Sequence, residues 1–160
     1  MIDPFDEKDY YTGPQLTMSD VHRAEEALGY SLPSTYVQLL MHKNGGSLKS
    51  NLFATPFSTS WSDNHFKVRA LYGIGGEWAI DSSDGSGSAD LIEEWGYPKI
   101  GVVICLTPSG GHDTVMLDYS ESGPEGEPSV AYIDEDRVPR RIADTFESFI
   151  AGLTSSIDGD

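Results

Sequence analysis

The first of two apolar stretches near the start of the chain has helical spacing. Val21, Ala24 and Leu28 recur every three or four positions, which places their side chains on one helix face. Thr17 precedes this stretch and is a residue type that caps helix N-termini. Gly29 follows it and can adopt the left-handed conformation that closes a helix. The pattern therefore predicts a helix that starts at Thr17 and ends at Gly29.

The second apolar stretch begins at Pro33, which a helix tolerates in its first turn because no backbone donor is needed there. Tyr36, Leu39 and Leu40 form its apolar face. The glycine pair at 45–46 frees the backbone for positive φ, so we expect it to stop the helix. Two helices joined by a short connection predict an N-terminal helical hairpin.

The middle of the chain has a broken pattern that is typical of short strands. Aromatic and apolar residues from 48 to 78 are interrupted by a glycine-rich segment, and residues 81–88 form a polar loop. Ser88 and Gly96 bound a predicted short helix, with Ser88 as its cap. The apolar face of that helix carries Leu91, Ile92 and Trp95.

The second half of the chain predicts three strands and a final helix. Residues 100–106 and 129–133 are apolar and β-branched, and residues 113–119 alternate, so each segment predicts one strand. Helical spacing predicts the last helix over residues 141–153. Consecutive strands indicate an α+β fold, an antiparallel β-sheet flanked by the helical hairpin and the C-terminal helix.

The length of 160 residues favours a single domain over residues 1–160. We expect its core to cover residues 16–153. Residues 1–15 are polar and turn-rich and are interpreted as a lead-in, and residues 154–160 are expected to fray.

The composition is strongly acidic. The 26 acidic and 10 basic side chains give a formal net charge of −16, and more than half of this excess lies in residues 112–160. Such a charge disfavours direct binding of nucleic acid or anionic membranes, since both require cationic surfaces. It favours a basic protein partner attracted over long range, while solubility alone is the competing explanation.

Cysteine usage and the termini suggest a compartment. The only cysteine, Cys105, lies in an apolar run and is expected to be buried. A single cysteine excludes a disulfide within the chain, which fits a reducing environment. The acidic N-terminus lacks the apolar centre of a signal peptide, and no apolar run approaches the roughly 20 residues that span a bilayer. We therefore expect a cytoplasmic protein.

Candidates for catalysis or metal binding are few. Ser109, His112 and Asp113 lie close in sequence, but no Gly-x-Ser-x-Gly elbow surrounds the serine. A small hydrolase that uses His112 and Asp113 is therefore the least favoured hypothesis. The histidines lack metal-ligand spacing, and the loop at 81–92 lacks the final glutamate of a calcium loop. We expect no enzymatic activity, no cofactor and no metal.

Acidic segments are candidates for a rim that binds a basic partner. The alternative is a set of solvated turns with local ion pairs, each worth ~0–1 kcal/mol. Trp61, Trp78 and Tyr97 are candidate interface anchors, with burial in the core as the competing explanation. The candidate partner-binding residues are Asp81, Asp84, Glu93, Glu94, His112, Asp113, Asp134, Glu135 and Asp136.

Short motifs also occur in a characteristic order. In the first half these are Leu16-Thr17, Gly29-Tyr30-Ser31-Leu32-Pro33, Tyr36 and Asn44-Gly45-Gly46. In the second half these are Tyr97-Pro98-Lys99-Ile100-Gly101, Gly110-Gly111-His112-Asp113, Leu117-Asp118 and Ala143-Asp144-Thr145-Phe146-Glu147-Ser148-Phe149. Over about residues 16–153 the chain resembles the SUKH superfamily, whose best-known branch includes the fungal cell-wall assembly regulators.

The resemblance implies an α+β fold and a binding function without catalysis. Bacterial members are immunity proteins that neutralise a cognate polymorphic toxin, often a nuclease, whereas fungal members are scaffold-like regulators. We predict the immunity role for this chain, with the regulatory scaffold as the alternative, and both a monomer and a weak homodimer stay open. His112 stands where members often have glycine, which makes it a candidate specificity contact. The motif residues expected to be structural are Leu32, Pro33, Tyr36, Asn44, Gly45, Gly46, Gly110, Gly111, Asp118 and Phe146.

Overall fold

The computed structural model describes residues 3–157, and within them it has an α+β fold, as the sequence predicts. The helices of this range are Met18–Leu28 (α1), Ser34–His42 (α2), Ser88–Trp95 (α3) and Phe146–Gly152 (α4). The strands of this range are Gly46–Ser47 (β1), Leu52–Ala54 (β2), His65–Lys67 (β3), Ala70–Leu71 (β4), Gly101–Val103 (β5), Cys105–Leu106 (β6), Thr114–Asp118 (β7), Ser129–Ile133 (β8), Pro139–Ala143 (β9) and Leu153–Thr154 (β10).

The described strands form three antiparallel sheets. Their strand orders are β5-β7-β8-β9, β1-β4-β6 and β10-β2-β3. In the largest sheet, β7 and β8 pair along their whole length, from Thr114 opposite Ile133 to Asp118 opposite Ser129. Almost every residue of these two strands is buried, so the pair forms the centre of the molecule.

The apolar run at 100–106 is divided between two sheets, whereas the sequence predicts one strand. Ile104 separates β5 from β6: its N–H donates to the Val115 carbonyl (3.0 Å), and its own carbonyl accepts from Tyr72 N–H (2.8 Å). The chain thereby leaves the largest sheet and joins the sheet of β4. Cys105 follows at the start of β6 and is buried as expected, and this burial raises the pKa of its thiol.

The ends of the first two helices agree only in part with the sequence. Thr17 caps α1 through a complete capping box, and Gly29 closes it at φ 84°. Pro33 is the N-cap of α2, so this helix starts one residue later than predicted. Lys43, in an extended conformation, ends α2 before the glycine pair is reached. The prediction that glycine stops this helix is therefore wrong.

The third helix has a different start from the predicted one. Gly87 is the N-cap, and Ser88 is already the first helical residue. The Ser88 hydroxyl makes no cap bond and instead accepts from the Val103 N–H at 2.8 Å. This bond ties the start of α3 to β5. Gly96 closes the helix in the left-handed conformation, as predicted.

The C-terminal region also differs from the prediction. Residues 139–143 form β9, an edge strand paired with β8, and only Phe146–Gly152 is helical. Thr145 caps this shorter helix by accepting from the Ser148 N–H. Leu153, predicted to end the helix, and Thr154, predicted to begin the frayed tail, instead pair with β2 as β10, and residues 158–160 of that tail lie outside the described range.

Aromatic side chains join the elements into one buried cluster that includes residues from Phe5 to Ile150. Phe66 and Tyr132 stack at 4.1 Å between ring centroids, and Phe53 continues the stack. The lead-in contributes as well, because Phe5 is buried and bridges to Leu48. The helices and the β10-β2-β3 sheet therefore share a core with β8.

Candidate protein-binding surface

The motif residues of the first half meet at Asn44, which is only 3% exposed. Its amide group donates to the carbonyls of Pro14 and Ile74, both at 2.8 Å, and accepts from the Ile74 N–H at 2.9 Å. The side chain thus joins the lead-in, the end of α2 and the segment after β4. These contacts give Asn44 an architectural role.

The other motif residues around α2 face the interior. Tyr36 is fully buried, donates its hydroxyl to the Tyr72 carbonyl at 2.6 Å and packs edge-on against Phe146. This burial raises the pKa of Tyr36 well above its usual range. Leu32 and Pro33 are buried beside the start of the same helix. Leu32, Pro33, Tyr36 and Phe146 are therefore not accessible to a partner.

The second-half motifs shape a turn and the end of a strand. Gly110 and Gly111 have φ values of 75° and 126°, and the Trp95 ring occupies the space that a Cβ at Gly111 would need. Asp118 ends β7 and accepts from the N–H and the hydroxyl of Ser120. The turn therefore lies directly against the C-terminal end of α3.

Asp113 is buried, with 1% of its surface exposed, so the prediction that it contacts a partner is corrected. One carboxylate oxygen accepts from the hydroxyls of Thr107 and Ser109, both at 2.6 Å. The other accepts from the Tyr132 hydroxyl at 2.5 Å and the Trp61 indole Nε1–H at 3.0 Å. Four donors satisfy the carboxylate, which is how a buried polar group avoids a desolvation penalty.

The geometry does not bring together the His112 and Asp113 side chains on which the hydrolase hypothesis depends. The exposed His112 ring lies edge-on to Trp95 at 5.5 Å, and within residues 3–157 no hydrogen bond joins it to the Asp113 carboxylate. Ser109 contacts that carboxylate but not the imidazole. Ser109, His112 and Asp113 therefore do not form the hydrogen-bonded series of nucleophile, base and orienting acid that a catalytic triad requires.

Arg137 fastens three segments together, a role that the sequence analysis missed. Its guanidinium donates to the carbonyls of Trp95 (3.0 Å), His112 (2.7 Å) and Asp134 (2.9 Å). It also lies over the Tyr97 ring, 4.9 Å from the centroid. Arg137 itself has φ 60°, which is unusual for a residue with a side chain. These bonds hold the end of α3, the 108–113 turn and the β8–β9 turn in one place.

A fourth segment joins the same place through the loop before β3. The Ser60 N–H donates to the Asp134 carboxylate at 2.9 Å, and the neighbouring Trp61 indole reaches Asp113. Trp61 is 42% exposed and Val138 is 51% exposed, which is unusual for large apolar side chains. We call the resulting area the Trp61 surface; it consists of Trp61, Trp95, His112, Asp134, Glu135, Asp136 and Val138.

The predicted acidic rim is only partly assembled. Asp134, Glu135 and Asp136 line a depression of about 260 Å³ on the Trp61 surface together with Arg140. Glu94 is exposed at the end of α3, next to Trp95.

The remaining rim residues have contacts elsewhere. Asp81 accepts from the Gly75 N–H, and Asp84 accepts from Ser82 and Ser86 within its own loop. Glu93 instead borders a groove of about 440 Å³ between α1, α3 and β5. These three acids therefore do not extend the depression formed by Asp134, Glu135 and Asp136.

The three candidate interface anchors, Trp61, Trp78 and Tyr97, differ in exposure and in surroundings. Tyr97 is buried, and its hydroxyl donates to the Gly111 carbonyl, so it belongs to the turn rather than to an interface. Trp78 is 37% exposed, and its ring lies edge-on to Tyr11 at 4.9 Å between centroids. The exposed Tyr10 lies beside Tyr11. Trp61 and Trp78 are thus both accessible, but they are held by different segments.

Electrostatics on the Trp61 surface are dominated by carboxylates. Arg140 makes a bidentate ion pair with Asp136, and its hydrogen bond lowers the pKa of that carboxyl to about 2. Arg137 is occupied by backbone carbonyls, and Glu135 is exposed. Asp136 has a cationic partner, whereas Glu135 has none among the described residues.

Two features of the described range bear on other ligand classes. Residues 3–157 hold no group of three or more His, Cys, Asp or Glu side chains arranged to bind a metal ion. No helix in this range is both long enough and apolar enough to cross a membrane.

Comparison with curated protein sequences gave no match. The sequence profile of the SMI1 / KNR4 family (SUKH-1) matches residues 15–152, a span that begins just before the Thr17 cap and ends with α4. This span is most of the chain and contains every motif named above, and the chain therefore belongs to the SMI1 / KNR4 family (SUKH-1).

Proposed function

We propose that this chain is an immunity protein that neutralises a cognate toxin by stoichiometric binding. Membership of the SUKH-1 family is consistent with either an immunity or a regulatory role. The observation that carries the proposal is the Trp61 surface, where exposed apolar side chains stand beside carboxylates on a hydrogen-bonded platform. Tryptophan is enriched among the residues that dominate binding energy at interfaces.

The charge of the chain supports a basic partner. A net charge of −16 attracts a basic protein over long range and accelerates the encounter. Toxins that cleave nucleic acid need cationic active sites to hold phosphates. An acidic binding protein can therefore occupy such a site in place of the nucleic acid. Rapid association suits an inhibitor that must act before the toxin damages its host.

The test first captures the partner protein from a lysate and then measures whether the chain protects a host from it. The tagged chain is incubated with a lysate of its source organism at low salt, washed at increasing salt, and the retained proteins are identified by mass spectrometry. We expect a basic toxin domain that is retained one to one and released by salt, because screening weakens charge attraction. Co-expression of that domain with the chain should then restore growth of a bacterial host.

A matched variant makes the protection assay specific. Trp61→Ala removes the exposed indole of the Trp61 surface and should abolish growth protection, whereas Trp78→Ala should retain it. Protection lost equally in both variants would contradict the choice of surface. Recovery of kinases or cell-wall synthesis factors instead of a toxin would favour the regulatory scaffold, the second role compatible with the family.

A further inference from the structure

Trp61 is unusual in being exposed and yet fixed from several sides. Its backbone N–H donates to the Thr59 hydroxyl at 3.1 Å, and the preceding Ser60 N–H donates to Asp134. The indole Nε1–H donates to Asp113 at 3.0 Å while 42% of the residue remains exposed. Hydrogen bonds therefore restrain both the backbone and the ring.

The carboxylate that holds the ring accepts three further hydrogen bonds. Thr107 and Ser109 come from the segment between β6 and β7, and Tyr132 comes from the centre of β8. Any rotation of the Asp113 carboxylate away from Trp61 would break at least one bond to these buried or half-buried groups. Burial and the bond to Asp113 both raise the pKa of Tyr132, so its hydroxyl remains a donor.

We infer that Asp113 is a positioning residue that holds the exposed Trp61 indole in one orientation, ready to bind a protein partner. The inference rests on the proposed function and adds to it the device that prepares the site. Asp113 does not touch the partner, because it is buried beneath the ring. It acts on binding only through Trp61.

A purely local role for Asp113 does not account for its contacts. The bonds from Thr107 and Ser109 to one oxygen lie within the turn that precedes β7. The second oxygen accepts from the buried Tyr132 hydroxyl and also from an indole that is 52 residues away in sequence and lies at the surface. Fixing a side chain before binding avoids the entropy loss of ordering it in the complex. From that cost we expect an effect on affinity of about three- to tenfold.

The positioning role can be measured without a partner. In ¹⁵N relaxation experiments on the free protein, the indole N–H of Trp61 should have an order parameter near that of rigid backbone, about 0.85. Asp113→Ala should lower it below about 0.6 and shift its resonance towards that of a free indole. The indole signals of Trp78 and Trp95 should stay in place. Ser109→Ala is the matched control, because it removes one bond to the Asp113 carboxylate and one from the Asp113 N–H but leaves the Trp61 bond.

Two results would overturn the inference. One is an indole of Trp61 that is already mobile in the unaltered protein, a measurement that stands even if Asp113→Ala does not fold. The other is an order parameter that Asp113→Ala leaves unchanged.

A double-mutant cycle tests whether Asp113 affects partner binding through Trp61. The affinity is measured for the toxin domain identified by capture. Asp113→Ala should weaken binding by about three- to tenfold in the presence of Trp61 and cause no further loss in the Trp61→Ala background. Additive losses would overturn the inference. Failure to capture any toxin would reject the proposed function, while the relaxation experiment would still decide what Asp113 does.

Discussion

Two glycines with the same backbone angle lie in different surroundings. Gly29 and Gly45 both have φ 84°, a value that L side chains rarely adopt. A Cβ on Gly29 would meet no atom within 4 Å, whereas a Cβ on Gly45 would lie 2.7 Å from the Gly73 backbone nitrogen. Gly29 is therefore needed for its angle alone, and Gly45 for its angle and for close approach of two chain segments.

This difference predicts unequal effects of the same substitution. Gly29→Ala should lower the free energy of unfolding by about 1–2 kcal/mol, the cost of the left-handed conformation. Gly45→Ala should lower it by a further 1–3 kcal/mol or so, because the new methyl group meets backbone that cannot turn aside. Urea unfolding followed by circular dichroism measures both variants. Equal losses would mean that the chain near Gly73 relaxes without penalty.

At the residue scale, sequence patterns identified important positions but not their partners. The Asn44 motif was visible, yet nothing in the sequence connected its amide to Ile74, thirty residues later. The adjacency of His112 and Asp113 suggested a catalytic pair, but the two side chains turn to different neighbours. Such partners are decided by tertiary packing, and spacing in sequence carries no information about it.

At the scale of elements, Arg137 is the link between α3, the 108–113 turn and the β8–β9 turn. Its guanidinium donates to the carbonyls of Trp95, His112 and Asp134, one in each of these segments. Within residues 3–157, no other side chain donates hydrogen bonds to all three segments. A charged donor makes stronger hydrogen bonds than a neutral one, so the link is a stable one. The Trp61 surface depends on it for its shape.

Arg137→Ala should therefore loosen the surface before it unfolds the protein. We expect a loss of about 1–3 kcal/mol in the free energy of unfolding and faster amide hydrogen exchange in residues 95–97, 110–113 and 134–138. Exchange in β7 and β8 should remain slow. Arg141→Ala is the control, because the ion partners of Arg141 within residues 3–157 are the exposed acids Glu121 and Asp144. Equal exchange in the two variants would show that Arg137 does not hold these segments.

The ion pair in the β8–β9 turn predicts a pH dependence. The pKa of Asp136 is lowered to about 2 in the folded protein, first by the Arg140 hydrogen bond and then by the Val138 N–H, against about 3.9 in an unfolded chain. Because the pKa of Asp136 is lower in the folded protein than in the unfolded chain, its ionisation stabilises the folded protein. This stabilisation is present above about pH 4 and is lost as the pH falls from about 4 to about 2. Arg140→Ala should raise the pKa of Asp136 towards its usual range in an NMR titration, and Arg141→Ala should leave it near 2. An unchanged value in Arg140→Ala would assign the shift to the backbone.

Elements with local signals were predicted well, and those that depend on distant strands were not. The Thr17 cap, the Gly29 and Gly96 ends and all of β8 agree with the sequence. The last helix was predicted too long because the apolar spacing of Phe146 and Phe149 extends back to Ile142. Pairing of β9 with β8 overrides this spacing, and such pairing is not visible in a local window.

For the whole molecule, charge and shape have separate roles in the proposed binding. More than half of the acidic excess lies in residues 112–160, whereas hydrogen bonds hold the backbone and the exposed indole of Trp61 at one place on the surface. Long-range attraction acts mainly on the rate of encounter, and short-range packing acts mainly on the lifetime of the complex. The sequence disclosed the charge completely, but the location of the surface depends on four segments that only the fold brings together.

This separation predicts different kinetic effects for two kinds of variant. Replacing the exposed Glu26, Glu125 and Glu127 by Gln, all outside the Trp61 surface, should slow association with the captured toxin and leave its dissociation rate nearly unchanged. Trp61→Ala should instead accelerate dissociation, with little effect on the salt dependence of association. Surface plasmon resonance at several ionic strengths measures both rates. If the three glutamine substitutions accelerated dissociation as much as Trp61→Ala does, those glutamates would be contact residues, and the partner would bind a different face.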